Sequence, residues 1–300
     1  MNKPNPKILC VDDEPGVLES LSRLLKKDFQ VFTALSGEQG IEVAKANPDL
    51  AVIVSDYRMP GMNGVLFLRE MKTLCPTAAR TILSGQIDIH EISNAINTAE
   101  IHRFFLKPWE NDYLKLQIHE AVQTHINLSE KTHFKYLSIT DPITGLTNHR
   151  FFQDQLRKTI SENQLVSLIM LDVDHFKSFN DRYGHPEGDQ LLSEISQTLL
   201  DLMHAEGTAS RYGGEEFSLI LPNFTAEQAF KYGETLRQKI SKKPMRGPGR
   251  EAFVSVSLGI ATYPTHANSP EELIEKADKA LYLSKGQGRN KTTIIDNKSK

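Results

Sequence analysis

A tight turn with two glycines and two carboxylates is the feature that most constrains how this chain folds. Its residues are Gly213, Gly214, Glu215 and Glu216. The flanking segments 208–212 and 217–221 resemble short strands with apolar inward positions, so the turn predicts a hairpin centred on the two glycines. Glycine has no Cβ atom, so such a turn also lets phosphate groups approach its backbone. A solvated hairpin tip is the alternative interpretation when the segment is taken alone.

A second source of carboxylates follows a predicted buried strand. The apolar run 168–171 ends at Asp172, upstream of the hairpin. Mg²⁺ and Mn²⁺ prefer oxygen ligands, which carboxylates supply. Asp172 together with Glu215 and Glu216 therefore predicts a divalent-cation site that would bridge nucleotide phosphates.

Five motifs between residues 137 and 295 resemble the GGDEF family, the diguanylate cyclases. They are TDPITGLTN at 140–148, FKSFND at 176–181, GHPEGD at 184–189, GGEEF at 213–217 and ALYLSKGQGRN at 280–290. The GGEEF run is a variant of the motif that names the family. The resemblance implies an α/β sandwich with the palm-like sheet of nucleotidyl cyclases, in which two GTP molecules condense to c-di-GMP and two pyrophosphates.

The patterning of this half agrees with such a sandwich. Helical spacing of apolar residues predicts helices, and apolar runs and alternation predict strands. The predicted helices are 151–160, 188–202, 226–240 and 270–284, and the predicted strands besides the hairpin are 165–171 and 253–262.

The resemblance also implies roles for the acidic residues. Asp172, the carbonyl of Val173 and Glu215 would bind the metal on the GTP phosphates. Glu216 would complete a second metal position. The family counterpart of Glu215 is the usual candidate for taking the proton from the attacking 3′-hydroxyl, and a carboxylate at Glu216 suits either task. Mg²⁺ or Mn²⁺ is the implied cofactor.

The nucleotide contacts follow from the same resemblance. An amide and a carboxylate suit the guanine edge, which presents both acceptors and donors. Two cations four residues apart lie on one helix face or its frayed end, where they can hold the β- and γ-phosphates; solvated helix charges are the alternative. The residues implied are Asn180 and Asp189 for guanine, Lys285 and Arg289 for phosphate, and the backbone near Phe176 and Lys177.

The first half of the chain alternates strand-like and helix-like segments. Apolar segments 7–11, 51–55, 80–83 and 102–106 predict strands, and 17–25 predicts an amphipathic helix. Such βα repetition predicts a parallel sheet, and the carboxyl ends of its strands meet at one edge. The residues at or just after these ends are Asp12, Asp13, Asp56, Ser84 and Lys107.

These strand ends resemble the receiver domain of two-component response regulators, over residues 3–122. The motifs are VDDEP at 11–15, SDYRMPGMNG at 55–64, LSG at 83–85 and LKPW at 106–109. The resemblance implies an aspartate that is phosphorylated by a sensor histidine kinase or a phosphotransfer protein.

The resemblance assigns a role to each residue at this edge. Asp56 would accept the phosphoryl group, and Asp12 and Asp13 would hold Mg²⁺ together with it. Lys107 would pair with the phosphoryl group. Ser84 would hydrogen-bond to that group, and Phe104 would follow Ser84 as the switch aromatic. A plain helix cap is the alternative interpretation of Asp12 and Asp13.

The whole chain therefore belongs to the α/β class. We expect a doubly wound parallel (βα)5 receiver domain at 1–122, a helical linker at 123–137 and a palm-like nucleotidyl cyclase domain at 138–300. A sparse apolar stripe with helical spacing leads into the linker, at Leu114, Ile118, Ala121, His125 and Leu128. The stripe then fades, so a short interrupted coiled coil and a solvated spacer helix both remain open.

The composition is that of ordinary globular domains. The 300 residues are 24% charged and 39% hydrophobic, and the net charge is −3. Without an extended basic patch no nucleic-acid partner is expected, and no apolar stretch approaches the roughly 20 residues of a membrane span. Cys10 and Cys75 are the two cysteines and predict no disulfide framework. We expect a cytoplasmic protein with no membrane or nucleic-acid partner.

Together the halves predict a response regulator in which phosphorylation of Asp56 controls a diguanylate cyclase. The enzyme would act as a homodimer, because each domain holds one GTP and the product needs two. A non-catalytic GTP-binding or protein-interaction signalling module is the alternative. The stretch 204–207 lacks the Arg-x-x-Asp product-binding motif of many family members, which predicts no strong product inhibition through that site.

Overall fold

The computed structural model describes residues 5–85, 100–203, 207–247 and 250–296. The chain divides into two compact units, Met1–Lys135 and Tyr136–Lys300, which we call unit 1 and unit 2. Within the described ranges, no helix combines the length and hydrophobicity that crossing a membrane requires.

Unit 1 is built on a five-stranded parallel sheet with the order β2-β1-β3-β4-β5. The strands are β1 Lys7–Val11, β2 Gln30–Ala34, β3 Val52–Asp56, β4 Ala79–Ser84 and β5 Arg103–Leu106. The described helices are α1 Pro15–Leu25, α2 Gly37–Ala46, α3 Gly64–Leu74 and α4 Asn111–Ile139. This is the predicted doubly wound parallel fold.

Both faces of this sheet are covered, as its nearly continuous apolar strands require. Side chains alternate along β1, so Leu9 and Val11 join the core that includes Phe67 of α3. Ile8 and Cys10 point to the other face, where the core includes Leu21 of α1 and also part of α4. The two faces of the sheet are thus closed to water, and because all of its strands are parallel their carboxyl ends share one edge.

Helix α4 contains the whole predicted linker. Its first half packs into unit 1 through Leu114, Ile118 and Ala121, which are all buried. Further along, Phe134 and Leu137 are exposed at 69% and 52%. The boundary between the two units falls within this helix.

Unit 2 is built on a second five-stranded sheet with the order β12-β11-β6-β8-β7. Its strands are β6 Val166–Val173, β7 Thr208–Gly213, β8 Glu216–Pro222, β11 Val256–Tyr263 and β12 Thr292–Ile294; β9 Met245–Gly247 and β10 Arg250–Ala252 form a separate pair. The helices are α5 His149–Glu162, α6 Phe176–Tyr183, α7 His185–Leu202, α8 Ala226–Lys242 and α9 Pro270–Gly286. The α/β sandwich predicted for this half is confirmed.

Strand β6 is the centre of this sheet, and all eight of its residues are buried. One face of the sheet packs on α7 and α8 and the other on α5 and α9. Burial on both faces explains the apolar run 168–171 in the sequence. The acidic residues that follow the run emerge where the strand leaves the core.

The hairpin turn differs by one residue from the sequence prediction. Gly213 pairs with Glu216, so the two turn residues are Gly214 and Glu215 instead of the two glycines. Gly214 has the positive φ, +52°, whereas Gly213 is the last residue of β7. An irregularity in the pairing between Arg211 and Gly213 shifts the register, which places Glu215 in the turn itself.

Candidate functional site

Three charged side chains converge at the carboxyl edge of the unit 1 sheet. The ammonium of Lys107, after β5, lies 2.7 Å from Asp12 Oδ2 and 2.5 Å from Asp56 Oδ1. Asp12 and Asp56 are 1% and 6% exposed. One lysine thus bridges two buried carboxylates that come from two neighbouring strands.

Burial and charge pairing have opposing effects on the pKa values of Asp12 and Lys107 in this cluster. Burial raises the pKa of Asp12, and the neighbouring charge of Asp56 adds to the effect, while Lys107 opposes both. Burial alone would lower the pKa of Lys107, but its hydrogen bonds to the two aspartates raise it overall. The ammonium therefore stays charged, and two crowded carboxylates share a single positive partner.

Asp56 is held in place by contacts to its side chain and to its backbone. Its Oδ2 accepts the backbone N–H of Arg58 at 2.7 Å. Gly64, the first residue of α3, packs against the backbone of Asp56. A Cβ atom on Gly64 would come within 2.0 Å of the Asp56 carbonyl oxygen. Ser84 is buried at the end of β4, and its carbonyl accepts the N–H of Lys107.

The resemblance to receiver domains implies roles for two further residues of unit 1. Asp13 is exposed, in the loop between β1 and α1. Phe104 is half-buried on β5, where it packs against the core that includes Phe67 of α3. It lies two residues before Leu106, which pairs with Ser84 of β4. The structure therefore joins Asp12, Asp56 and Lys107 directly and leaves Asp13 facing solvent.

In unit 2 the acidic residues meet at one end of the sheet. Asp172 and Glu216 are direct partners across β6 and β8, and the N–H of Val173 donates to the carbonyl of Glu215 at 3.3 Å. Asp172 is 7% exposed and lies 2.7 Å from the ammonium of Lys285 on α9. The hairpin thereby brings both glutamates to the residues that end β6.

The carboxylates of this end repel one another. Burial raises the pKa of Asp172, and the charges of Glu215 and Asp174 raise it further against the opposing effect of Lys285. Burial also raises the pKa of Glu216, with Asp172 as the second cause. Such a site favours added positive charge.

The donor set fits a hard divalent cation. The residues that would hold Mg²⁺ or Mn²⁺ are Asp172, the carbonyl of Val173, Glu215 and Glu216. In the described ranges, no group of three or more acidic, histidine or cysteine side chains is arranged to hold a metal ion, and Asp172 instead pairs with Lys285. The fit therefore rests on oxygen chemistry and on the crowding of carboxylates.

The residues implied for guanine lie on α6 and α7. Asn180 Oδ1 is buried and, within the described part of the chain, has no hydrogen-bond partner. A Cβ atom on Gly188 would lie 1.9 Å from this oxygen, so glycine leaves the space that the amide occupies. Asp189 is the next residue and is exposed. An unpaired buried acceptor beside an exposed carboxylate suits a ligand that donates two N–H groups.

The residues implied for phosphate lie around the ends of α6 and α9. Lys285 belongs to the last turn of α9, and Arg289 lies beyond the helix with φ +62° and is exposed. Phe176 is buried at the first position of α6, and Lys177 beside it is exposed. The sequence left open whether the two cations share one helix face or lie at its frayed end. Arg289 lies beyond the end of α9, whereas Lys285 is still within the helix.

Two hydrogen-bond networks beside the candidate site were not predicted from the sequence. Arg211 joins Asp141 to the carbonyl of Gly214 in the hairpin turn. Asp174 accepts three hydrogen bonds from distant parts of the chain. Asp141 lies within the motif at 140–148, and Asp174 lies two residues before the motif at 176–181, but the partners of both acids are far away in sequence. The stretch 204–207 gives no structural answer, because residues 204–206 lie outside the described residues.

Comparison with known proteins supports both resemblances. A family model described as the diguanylate cyclase GGDEF domain matches residues 138–291, and one for the response regulator receiver domain matches 8–119. Response regulator PleD of Caulobacter vibrioides is 32% identical over 215 residues, which are 70% of this chain and 43% of PleD. Diguanylate cyclase A of Treponema denticola is 34% identical over 168 residues, 54% of this chain and 45% of that protein.

Solved structures agree with the sequence comparisons. The coiled coil and GGDEF domain of DgcB from Caulobacter crescentus, in complex with c-di-GMP, matches with a TM-score of 0.56 and 29% identity. The match covers 61% of this chain and 99% of that one.

The chain spans about half the length of the curated relatives it matches. The two family resemblances inferred from the sequence are thus confirmed.

Proposed function

The chain belongs to the GGDEF family and also carries a receiver domain, and from this premise we propose that it is a diguanylate cyclase controlled by phosphorylation of Asp56. The reaction would condense two GTP molecules to c-di-GMP and two pyrophosphates. The observation that carries the proposal is the convergence of Asp172 with Glu215 and Glu216 at one end of the unit 2 sheet, beside Lys285.

The acidic residues would divide the work according to position. A bound Mg²⁺ or Mn²⁺ would neutralise phosphate charge and polarise the phosphoryl group under attack. Glu215 lies in the turn itself, where an attacking 3′-hydroxyl can approach, so we assign to Glu215 the role of accepting the proton of that hydroxyl. Glu216 faces Asp172 within the sheet and suits the cation site.

Lys285 would exchange one anionic partner for another. It pairs with Asp172 in the free protein, where it offsets part of the carboxylate crowding. Arriving phosphates compete for the same ammonium, and a cation would then take over the charge of Asp172. Arg289 lies four residues further on and would provide the second phosphate contact.

Guanine would be selected by Asn180 and Asp189. The buried Oδ1 of Asn180 needs a donor, and the guanine edge offers N–H groups where adenine offers an acceptor. Adenine would leave that oxygen unpaired. We therefore expect GTP to be preferred over ATP.

Control would pass from unit 1 to unit 2 through dimerisation. A sensor histidine kinase or phosphotransfer protein would phosphorylate Asp56, where Lys107 and Mg²⁺ held by Asp12 and Asp13 would stabilise the added charge. Ser84 would bind the phosphoryl oxygen and Phe104 would follow it. Two units 2, each with one GTP, would then face each other in a homodimer.

The assay that tests this proposal separates product formation from GTP binding. Purified protein is incubated with GTP and Mg²⁺ and the nucleotides are resolved by chromatography. We expect c-di-GMP from the wild type, none above background from Glu215→Ala, and wild-type yield from Glu275→Ala, which removes an exposed glutamate of α9. Bound GTP without product in the wild type would favour the non-catalytic signalling module instead.

A further inference from the structure

Asp174 is a buried carboxylate that the proposed chemistry does not use. It follows β6 by one residue and is 5% exposed. Its Oδ1 accepts the hydroxyl of Ser257 at 2.7 Å, and its Oδ2 accepts the hydroxyl of Ser255 at 2.6 Å. Its Oδ2 also accepts the backbone N–H of Asn290 at 2.9 Å. These three donors satisfy both oxygens of the side chain.

The donors tie together two distant parts of unit 2. Ser257 lies on β11 and Ser255 just before it, next to the end of β6, so they fix the carboxylate to the sheet. Asn290 lies in the segment that follows α9 and carries Arg289. The carboxylate thus holds this segment against the strand end that supplies Asp172.

The segment needs such a tie because its backbone is unfavourable. Gly288, Arg289 and Asn290 have φ angles of +106°, +62° and +45°. Left-handed backbone is disfavoured for residues with a Cβ atom, and it persists where the surroundings fix it. The Arg289 N–H donates to the carbonyl of Ser284 at 3.1 Å, and the guanidinium of Arg237 donates to Asn290 Oδ1 at 2.8 Å.

We propose that Asp174 is a positioning residue, which holds the left-handed turn at Asn290 so that Arg289 is directed to the phosphates of GTP. Asp172 contacts Lys285 directly, whereas Asp174 acts on Arg289 through the backbone of the next residue. Two acids at the end of β6 would therefore position the two phosphate-binding cations: Asp172 would position Lys285 on α9, and Asp174 would position Arg289 beyond α9. Both oxygens of Asp174 accept hydrogen bonds from other parts of unit 2, which favours a positioning role over metal binding. The inference rests on the proposed function.

Two substitutions distinguish positioning from metal binding. Asp174→Ala removes the acceptor of the Asn290 N–H. Asp174→Asn can keep that acceptor as its amide oxygen, while its NH₂ group faces Ser257, whose hydroxyl can turn to accept. A metal ligand would lose its function in both variants, whereas a positioning residue would keep it in the second. Ser257→Ala is the matched control, because it removes a buried hydrogen bond without touching Asn290.

The readouts are binding of a non-hydrolysable GTP analogue at several Mg²⁺ concentrations and amide exchange across 287–291. We expect Asp174→Ala to weaken binding about tenfold or more and to speed exchange at Asn290. Asp174→Asn and Ser257→Ala should bind within roughly threefold of the wild type with an unchanged Mg²⁺ requirement. Should Asp174→Ala fail to fold, the isosteric Asp174→Asn decides the question.

Two results would overturn the positioning role. One is an increased Mg²⁺ requirement in Asp174→Asn, and the other is wild-type affinity in a folded Asp174→Ala. A wild type that binds no GTP analogue at all would instead contradict the proposed function on which the inference rests. Exchange at Asn290 is measured in the nucleotide-free protein, so it reports the tie independently of any activity.

Discussion

Arg211 and Asp141 form an ion pair that ties the start of unit 2 to the hairpin turn, with a single guanidinium nitrogen shared between the two carboxylate oxygens. Nη1 of Arg211 lies 3.1 Å from both carboxylate oxygens of Asp141, and its Nε and Nη2 donate to the carbonyl of Gly214 at 3.0 and 2.8 Å. Asp141 follows the end of α4 by two residues. The guanidinium therefore links the segment after the long helix to the turn that carries Glu215.

Loss of this pair should weaken both stability and turnover. Its side chains are only 13% and 17% exposed, so we expect Arg211→Ala to lower the unfolding free energy of unit 2 by about 1–3 kcal/mol. Turnover should fall about tenfold or more, because the hairpin loses its fixed position. Arg211→Lys should recover little, since one ammonium cannot serve Asp141 and Gly214 in the same geometry.

Arg157→Ala is the control for that experiment. Arg157 pairs with Glu271, but the two side chains are 56% and 66% exposed. Its loss should change the unfolding free energy by no more than about 0.5 kcal/mol. Equal effects of the two arginine substitutions in denaturant titrations would refute the special role of Arg211.

Glu216→Gln should stabilise the protein while it abolishes turnover. Glu216 faces Asp172 across the strands, and like charges directly opposite each other destabilise a sheet. We expect a gain of about 0.2–1 kcal/mol in unfolding free energy at neutral pH, measured without nucleotide. No gain, or a loss, would show that Lys285 already offsets the repulsion fully.

The pH dependence of stability should differ between these two proteins. The pKa of Glu216 is raised in the folded state by burial and by Asp172, so the folded wild type binds a proton more tightly than the unfolded chain. The negative charge of Glu216 destabilises the folded state fully at pH values above its folded pKa. This destabilisation is relieved as the pH falls towards 4.5, the ordinary pKa of a glutamate. Glu216→Gln should lack much of this relief in melts between neutral pH and pH 5.

Gly188→Ala should separate helix stability from nucleotide selection. Alanine normally stabilises a helix interior by about 0.5–1 kcal/mol relative to glycine. Here its Cβ atom would come within 1.9 Å of Asn180 Oδ1, so the amide must leave its place. We expect GTP affinity to fall about tenfold or more and the preference over ATP to shrink.

Gly16→Ala in α1 provides the comparison, because an added Cβ atom there meets nothing within 4 Å. It should leave GTP binding unchanged. Isothermal titration of both variants with GTP and ATP tests the prediction. Unchanged selectivity in Gly188→Ala would remove Asn180 from guanine recognition.

Product inhibition should be weak. The stretch 204–207 has neither the arginine nor the aspartate of the family's product-binding motif. A cyclic dinucleotide would therefore lack its bidentate clamp at that place. Added c-di-GMP at low micromolar concentration should leave the initial rate unchanged, and strong inhibition would reveal a different binding site.

The sequence predicted those parts of the fold in which local pattern and burial agree. Strand β6 is buried on both faces, so its apolar run was visible, and the acids that follow it were correctly placed at a strand end. The turn was misplaced by one residue because its register depends on the pairing irregularity between Arg211 and Gly213. Such an irregularity is set by the partner strand and leaves no local signal.

The two hydrogen-bond networks that the sequence did not reveal show a second limit. Asp141 and Arg211 are 70 residues apart, and Asp174 and Asn290 are 116 apart. Asp174 stands beside Asp172, so its residue type alone suggests another metal ligand. Only the fold brings Ser255, Ser257 and Asn290 to its oxygens and shows that the carboxylate is fully hydrogen-bonded.

The most direct test of the central claim is the rate of c-di-GMP formation per protein molecule as a function of protein concentration, with and without beryllofluoride as a phosphoryl mimic. A phosphorylation-controlled homodimer predicts that the specific rate rises with concentration and that beryllofluoride shifts the rise to lower concentration. Asp56→Asn should abolish that shift. A specific rate independent of both concentration and beryllofluoride would contradict the account.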